Sequence, residues 1–525
     1  MFGSSAVVIE KDKKFSESCL WALQREYFHN EGIDAWVNQV PFYVTSNPFL
    51  ANCYAHVIVR LAQDWIKKHP DAVNDPFYIL ELGTGSGRLS YYILKKIEKL
   101  QQQLNLEHIK FCYVMTDFTE SNLKYWDSHP ALQRFLENGM LDFAIFNMEE
   151  DTTVNLRKRG TVLTEGSITN PMTVIANYIF DTVSHDAFTV SNGEVNASLV
   201  SLTTYHENMK NGRPVDWEQV QITHNPVAIG ENYYDDQDFN QVIKSYADLL
   251  TQSNILIPIA GLRTIRNLKK LCNDRMLLLS TDKGYTHIEE MDHLDHPHLA
   301  FHGSFSMMVN FHAIAKYFEV TGGKAYMQSL RTGIKNAAFI SGFDLKDYPE
   351  FSFSLYEHIE RLSPSDYFIL HRNISENFQH CILNTLAAHL AFTDWDPHIY
   401  QKLSKQICEQ ITSAESVTVE YLTSHMPNLA ENFYYLPKSY DVMFDIGILF
   451  HTLRRYGDAA KYYKLSEHYF GEQFGLAYNI GLCLYNVGEM QEALTYFHKA
   501  GKLDPKSKET KEWISFIEKE RAENR

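Results

Sequence analysis

The stretch "YILELGTGSGRLSYY" (residues 78–92) decides the fold class. An apolar run ends in an acid, Glu81, and glycines follow at positions 83, 85 and 87 before an amphipathic segment begins. Glycines let the chain turn sharply out of a strand, and they allow a ligand to approach the backbone at the N-terminus of the next helix. The stretch therefore predicts a strand, a ligand-binding turn and a helix from about Gly87 to Leu104.

The spacing of the glycines excludes two common nucleotide-binding turns. A dinucleotide fingerprint needs Gly-x-Gly-x-x-Gly, but the sixth position is Arg88 counted from Gly83 and Ser90 counted from Gly85. A P-loop needs Gly-Lys followed by Ser or Thr, and the stretch lacks it. The order acid-x-Gly-x-Gly-x-Gly instead resembles motif I of the class I S-adenosylmethionine-dependent methyltransferases. The resemblance implies that the amino-acid end and ribose of that cofactor lie against Glu81, Gly83, Thr84, Gly85 and Gly87.

Polar residues also end the next two predicted strands, "FCYVMTD" and "LDFAIFN". A carboxylate at the end of the second strand can accept hydrogen bonds from both ribose hydroxyls, and this position is held by Asp117. The third strand is followed by Asn147, Met148 and Glu149, where the resemblance implies contacts to adenine. The alternatives are a helix N-cap at Asp117 and turn chemistry at Asn147 and Glu149.

Strands alternate with amphipathic helices from residue 77 onward, which predicts an α/β fold with a doubly wound, Rossmann-like sheet. We expect "VNASLVSLTTY", "RMLLLSTDKGYTHI" and "NAAFISGF" to continue that sheet, interrupted by an inserted helical subdomain. The predicted domains are an N-terminal helical segment (1–75), a methyltransferase domain (76–343), a helical connector (344–433) and an all-α repeat region (434–525).

An internal repeat occupies the C-terminal region. Three residues recur 34 positions further along: Gly447, Ala459 and Tyr463 return as Gly481, Ala493 and Phe497. This period is typical of tetratricopeptide repeats, in which pairs of helices stack side by side. We expect two repeats and a capping helix from about Lys506 to Arg521, forming a surface that binds a protein substrate or partner.

Three further segments are similar to segments of the MidA family, which includes a mitochondrial complex I assembly factor that acts as a protein arginine methyltransferase. They are residues 41–58, 174–188 and 303–323. The matching residues are Thr45, Ser46, Asn47 and Pro48 in the first, Ala176, Asn177, Phe180 and Asp181 in the second, and Val309, Asn310 and Phe311 in the third. Tyr178 stands where the family has an acid. The resemblance implies a protein substrate, with arginine nitrogen as a candidate acceptor.

The segment after the fourth strand supplies the candidate catalytic residues. Methyl transfer is an in-line displacement that needs an aligned nucleophile with a free lone pair. The amide oxygen of Asn177 could position the acceptor, Asp181 could orient a guanidinium or amine, and His185 could take up the released proton. The alternatives are a helix cap at Asp181 and a packing role for His185.

Composition excludes several other functions. The net charge of -17 and the lack of a Lys/Arg cluster argue against nucleic acid as a partner. No segment reads as a signal peptide or membrane span, and the seven cysteines contain no CxxC pair, so we expect a cytoplasmic protein. The histidine- and acid-rich run at 287–302 follows no known ligand spacing, so we predict no metal.

Three functions fit these observations. The first is a methyltransferase for a protein substrate that the repeats recruit. The second is a non-catalytic assembly factor or adaptor that retains a cofactor pocket. The third is a small-molecule methyltransferase whose repeats mediate homodimerisation.

Overall fold

The chain divides into two compact units, residues 1–368 and 369–525. The computed structural model describes residues 6–31, 44, 46–302 and 304–523, so Thr45 of the MidA-like segment lies outside the described residues. The first unit is mixed α/β and the second is helical. The boundary between the two units falls inside the helix Pro364–Asn377. It therefore lies within the predicted connector (344–433) and not at either end of that connector.

The strands, in chain order, are β1 (Ala6–Lys13), β2 (Phe77–Glu81), β3 (Phe111–Asp117), β4 (Leu141–Ile145), β5 (Val154–Asn155), β6 (Val162–Leu163), β7 (Met172–Ile175), β8 (Asp186–Ser191), β9 (Glu194–Tyr205), β10 (Met209–Lys210), β11 (Arg213–Pro214), β12 (Gln221–Ala228), β13 (Gln252–Ile257), β14 (Met276–Asp282), β15 (Gly284–Tyr285), β16 (Ala300–His302), β17 (Ser304–Ser306), β18 (Val309–Asn310), β19 (Lys324–Met327) and β20 (Lys335–Ser341).

The α-helices are α1 (Cys19–Glu31), α2 (Pro48–Lys68), α3 (Arg88–Leu104), α4 (Glu120–Ser128), α5 (Pro130–Glu137), α6 (Gln237–Leu249), α7 (Ile259–Leu271), α8 (Phe311–Val320), α9 (Pro349–Leu355), α10 (Pro364–Asn377), α11 (Leu383–Phe392), α12 (Pro397–Ile411), α13 (Ser416–Glu431), α14 (Val442–Thr452), α15 (Tyr456–Phe470), α16 (Phe474–Asn486), α17 (Met490–Leu503) and α18 (Lys508–Glu523).

A seven-stranded sheet forms the centre of the first unit, in the order β19-β20-β14-β7-β2-β3-β4. All pairs from β14 to β4 are parallel, whereas β20 runs antiparallel to both of its neighbours. The chain runs outward from β2 through β3 to β4 and then returns to β7 on the other side of β2. In open α/β sheets, ligands bind outside the carboxyl ends of the strands at such a reversal.

An antiparallel sheet, and not a helical subdomain, is inserted between β7 and β14. Its order is β1-β9-β8-β13, and β12 also pairs with β9. The predicted strand at 195–205 lies in β9 and so does not belong to the central sheet. Buried and partly exposed residues alternate along much of β9, as expected for a strand with one solvated face. The expectation of an inserted helical subdomain is therefore wrong.

The N-terminal segment, which the sequence predicts to be mostly helical, also contains a strand, β1. β1 pairs with β9, almost 200 residues away in the chain, so its partner could not be read from local pattern. The carboxylate of Glu10 accepts hydrogen bonds from the Ser18 hydroxyl and, at 3.1 Å, from the Cys19 amide at the start of α1. Trp21 then packs against Phe15 and Phe305. These contacts fix α1 on the inserted sheet.

The second unit contains two helical hairpins at its C-terminal end, α14–α15 and α16–α17, followed by α18. A Cβ added to Gly447 would lie 2.4 Å from the Tyr463 ring, and one added to Gly481 would lie 3.1 Å from the Phe497 ring. The same glycine-to-aromatic contact therefore recurs in both hairpins. Across the part of the chain described, no helix is long and apolar enough to cross a membrane.

Candidate functional site

A pocket opens at the carboxyl ends of β2, β3, β4 and β7, at the reversal in strand order. The loops after these strands form most of it, and α1 and β17 complete it. The residues that line it are Gln24, Arg25, Phe28, Gly83, Asp117, Phe118, Thr119, Asn122, Phe146, Asn147, Met148, Glu149, Tyr178, Ile179, Asp181, Thr182, Val183, Ser304 and Ser306. Six of the predicted site residues are in this set.

The glycine turn adopts the backbone conformation for which glycine is needed. Gly83, Gly85 and Gly87 have φ values of 58°, 61° and 82°, a left-handed region that costs other residues roughly 1–2 kcal/mol each. A Cβ on Gly83 would also lie 2.5 Å from Cδ1 of Ile179, another residue that lines the pocket. The backbone at Gly83 is therefore bare where it meets the pocket.

Neighbouring side chains hold this turn rigidly in place. The amide of Thr84 donates to the carbonyl of Thr116 at 2.8 Å, and the Thr84 hydroxyl accepts from the Thr116 amide at 3.1 Å. The carbonyl of Gly85 accepts from Nε1 of the buried Trp126 at 2.9 Å. Thr84, Gly85 and Gly87 thus shape the turn, although they are not among the lining residues.

Glu81 lies behind the turn and is only 5% exposed. Its Oε2 accepts a hydrogen bond from the Tyr113 hydroxyl at 2.9 Å and another from the Ser90 hydroxyl. Burial raises the pKa of Glu81 from 4.5 to about 7. In this position Glu81 braces β2 against β3 and α3, and it does not line the pocket.

Asp117 ends β3 at the pocket wall. Its Oδ1 accepts from the Thr119 amide at 2.9 Å and from the Thr119 hydroxyl at 2.8 Å, and its Oδ2 accepts from Nδ2 of Asn122 at 2.7 Å. Burial raises the pKa of Asp117, and these donors counteract that effect. The carboxylate therefore organises the start of α4 and lines the pocket. The N-cap of α4 is Thr119, so the alternative that Asp117 is the helix N-cap is wrong.

The loop after β4 forms a second wall. Oδ1 of Asn147 accepts from the Glu149 amide at 3.1 Å, which closes a tight turn. Glu149 in turn accepts from the amide and hydroxyl of Ser184 at 3.1 and 2.6 Å, and it forms an ion pair of 2.9 Å with Arg25 of α1. The ion pair links α1 to the loop across the pocket. The predicted adenine segment, Asn147 to Glu149, does line the pocket.

Asn177 and His185 lie outside the lining. Oδ1 of Asn177 accepts from the Tyr54 hydroxyl at 2.8 Å and from the Thr281 amide at 2.9 Å, so that oxygen is already engaged. Nδ2 of Asn177 has no hydrogen-bond partner within the described structure. His185 is fully buried, stacks on Trp21 and contacts the Phe180 carbonyl through Nε2 at 2.6 Å. Burial lowers the pKa of His185 to about 4, which fits a neutral packing residue.

Asp181 belongs to a short 3₁₀ turn after β7, and it lines the pocket while being only 3% exposed. Its carboxyl lies within hydrogen-bonding reach of Asp282, at the end of β14. Burial raises the pKa of both carboxyls. Tyr178, in the same loop, has a left-handed φ of 48°, a strained conformation that costs about 1–3 kcal/mol and is concentrated at functional sites.

The charges of the lining favour a cationic ligand. Asp117, Glu149 and Asp181 contribute three carboxyl groups, and Arg25 is the one basic side chain among the described lining residues. Arg25 is paired with Glu149. In the part of the chain described, no group of three or more His, Cys, Asp or Glu side chains is placed to hold a metal ion.

Sequence reasoning missed Asp282 and the pocket face of α1. Asp282 ends the apolar run "MLLLSTD", which is the same strand-end signal that identified Asp117, so it could have been found. Gln24, Arg25 and Phe28 had no such signal, because α1 reaches the pocket only through its packing on the inserted sheet.

No protein-family model matches the chain, and no curated protein sequence matches it. Two solved structures of proteins from Burkholderia thailandensis, members of one superfamily, each match 62% of this chain and 94% of their own, at 11% identity. The first is an uncharacterized protein with a TM-score of 0.34. The second, with a TM-score of 0.36, is a candidate methyl transferase bound to S-adenosyl-homocysteine. At these values the function of this chain has to be inferred from its own residues.

Proposed function

We propose that this protein is an S-adenosylmethionine-dependent methyltransferase that acts on a protein substrate. One observation carries the proposal: the bare backbone of Gly83 and the carboxylate of Asp117 face one pocket from the ends of adjacent parallel strands. This arrangement suits a ligand that has a ribose and a chain of polar atoms, held at the reversal of strand order.

The lining residues fit this cofactor. Asp117 can accept hydrogen bonds from two ribose hydroxyls once Thr119 or Asn122 reorients. Phe118, 40% exposed at the pocket, and Met148 offer apolar surface for a purine. The excess of carboxyl groups attracts a positively charged sulfur. Glu81 is assigned a different role from the one that the motif suggested, because its carboxyl braces the turn from behind.

When bound, S-adenosylmethionine supplies a methyl group on a sulfonium. The protein has to align the acceptor and keep water out. Gln24, Arg25 and Phe28 of α1 line the pocket, and Arg25 forms an ion pair with Glu149 of the loop after β4. Asp181 reaches the same pocket from the loop after β7, which supports it as the residue that contacts the acceptor.

We further propose that the helical hairpins of the second unit are tetratricopeptide repeats that bind the protein substrate or a partner. The 34-residue period and the recurrent contacts Gly447–Tyr463 and Gly481–Phe497 support this assignment. Arginine nitrogen is the candidate acceptor that the MidA-like segments suggest. The net charge of -17 favours a basic protein partner over nucleic acid.

The test is transfer of label from methyl-labelled S-adenosylmethionine in a cell lysate. We expect label in protein, and we expect Gly85→Arg to abolish it, because the side chain would occupy the turn. Gly212→Arg is the matched control, since Gly212 is also a left-handed glycine but is exposed, with nothing near its added Cβ. Label in small molecules alone would favour the small-molecule enzyme, and transfer undiminished by Gly85→Arg would refute the site.

A further inference from the structure

Two buried carboxyl groups lie next to each other, and one of them lines the pocket. Asp181 is 3% exposed and Asp282 is 1% exposed, and they come from different elements, the turn after β7 and the end of β14. Oδ1 of Asp181 and Oδ2 of Asp282 both lack a hydrogen-bond partner within the described structure. Oδ1 of Asp282 accepts from the Lys283 amide at 2.7 Å.

Few charges offset this pair. The charge of Lys283 lowers the pKa of both carboxyls. The negative charges of the two carboxyls raise the pKa of the Tyr178 hydroxyl. Lys335 lies opposite Asp282 in the β14–β20 register, but its ammonium is engaged by Glu290 at 2.5 Å and by the Arg331 carbonyl at 2.6 Å. Among the described residues, neither carboxyl of the pair therefore has an ion pair of its own.

Two carboxylates cannot both remain ionised at close range in a buried site. One shared proton satisfies both orphaned oxygens, because the protonated carboxyl donates to its ionised neighbour. The resulting pair titrates as a unit, and its first proton is held to a higher pH than an ordinary aspartate would hold it. Burial of Asp181 and Asp282 acts in the same direction on the pKa of each.

We propose that the Asp181–Asp282 pair takes up the proton that the methyl acceptor releases, an inference that rests on the proposed methyltransferase function. Asp181 lines the pocket and is the catalytic residue, whereas Asp282 lies behind it and is a positioning residue that keeps Asp181 basic. The acceptor is then a nitrogen or oxygen nucleophile that carries a hydrogen.

The step balances as follows. The acceptor lone pair forms a bond to the methyl carbon, the carbon–sulfur bond breaks, and its electron pair stays on sulfur as a thioether. The hydrogen on the acceptor leaves as a proton to Asp181, and the pair then holds two protons until one returns to solvent. His185 is not needed for this step, since its ring packs on Trp21 away from the lining residues.

The first test needs no acceptor. Infrared spectra in the region of the carboxylic C=O stretch are recorded at pH 8 for the wild-type protein, Asp181→Asn and Asp282→Asn. The spectrum of each variant is then subtracted from that of the wild type. We expect one protonated carboxyl band in the wild type that either single substitution removes, because each leaves a lone carboxyl. A band that survives in both variants, or its absence from the wild type, would overturn the proposal. Asp235→Asn, at an exposed position, is the control.

The second test reads the pH dependence of label transfer to lysate protein. Asp181→Asn should lower transfer by about 100-fold or more, the usual contribution of a general base, while calorimetry still detects S-adenosylhomocysteine binding. Asp282→Asn removes the neighbouring acid, so the acidic limb of the profile should move to lower pH. An acidic limb that does not move in Asp282→Asn, or undiminished transfer of label by Asp181→Asn, would contradict the proposed role of the pair. Failure of the wild type to bind S-adenosylhomocysteine would instead count against the methyltransferase function.

Discussion

Replacing Glu81 by Gln should remove a pH-dependent loss of stability from the first unit. The pKa of Glu81 rises from 4.5 to about 7 because the carboxyl is buried behind the turn. Between these pH values the folded state binds more protons than the unfolded state, so the free energy of unfolding falls as pH increases. A shift of this size corresponds to about 3 kcal/mol, fully expressed above pH 7. Gln keeps the shape and can still accept from Tyr113.

The assay is urea unfolding of both proteins at pH 4.5 and pH 8, read by hydrogen exchange of a peptide from β3 so that only the first unit is followed. Between pH 4.5 and pH 8, the free energy of unfolding of the variant should rise relative to that of the wild type by up to about 3 kcal/mol. Glu107→Gln, at an exposed site, should show no such change. An unchanged difference for Glu81→Gln, or a loss of stability of the variant at pH 8, would refute the raised pKa of the Glu81 carboxyl.

Three other substitutions test packing. Gly447→Ala should destabilise the second unit by about 1–3 kcal/mol in thermal unfolding, because its Cβ would overlap the Tyr463 ring. Gly481→Ala should be nearly neutral, because its Cβ would lie 3.1 Å from the Phe497 ring. Equal effects of the two substitutions on stability would contradict the contact geometry. Gly83→Ala should weaken S-adenosylhomocysteine binding in calorimetry, because the added methyl group would push Ile179 into the pocket. Unchanged affinity would contradict the close contact between Gly83 and Ile179.

The fold around the glycine turn could be predicted from sequence because its signals are local. The helix predicted from about Gly87 to Leu104 is observed as Arg88–Leu104, and Asp117 ends its strand as expected. Strand, turn and helix are adjacent in the chain, so hydrophobic pattern and glycine spacing contain most of the information.

Features that depend on distant contacts could not be predicted. β1 is a strand only because β9 pairs with it, and α1 reaches the pocket only because Trp21 packs beside Phe305. The acid of the glycine motif is a subtler case: spacing locates Glu81 beside the turn but does not say which way its side chain faces. In the structure it faces Tyr113, and the pocket is left to Asp117.

The central claim is that the pocket between the glycine turn and Asp117 binds S-adenosylmethionine. Isothermal titration calorimetry with S-adenosylhomocysteine tests it most directly, using the wild-type protein, Asp117→Ala and the surface control Asp235→Ala. We expect one site in the wild type and in the control, and an affinity lower by at least about tenfold in Asp117→Ala, the loss that follows when a charged hydrogen-bonding partner is removed. No binding by the wild type, or equal affinity in all three proteins, would contradict it.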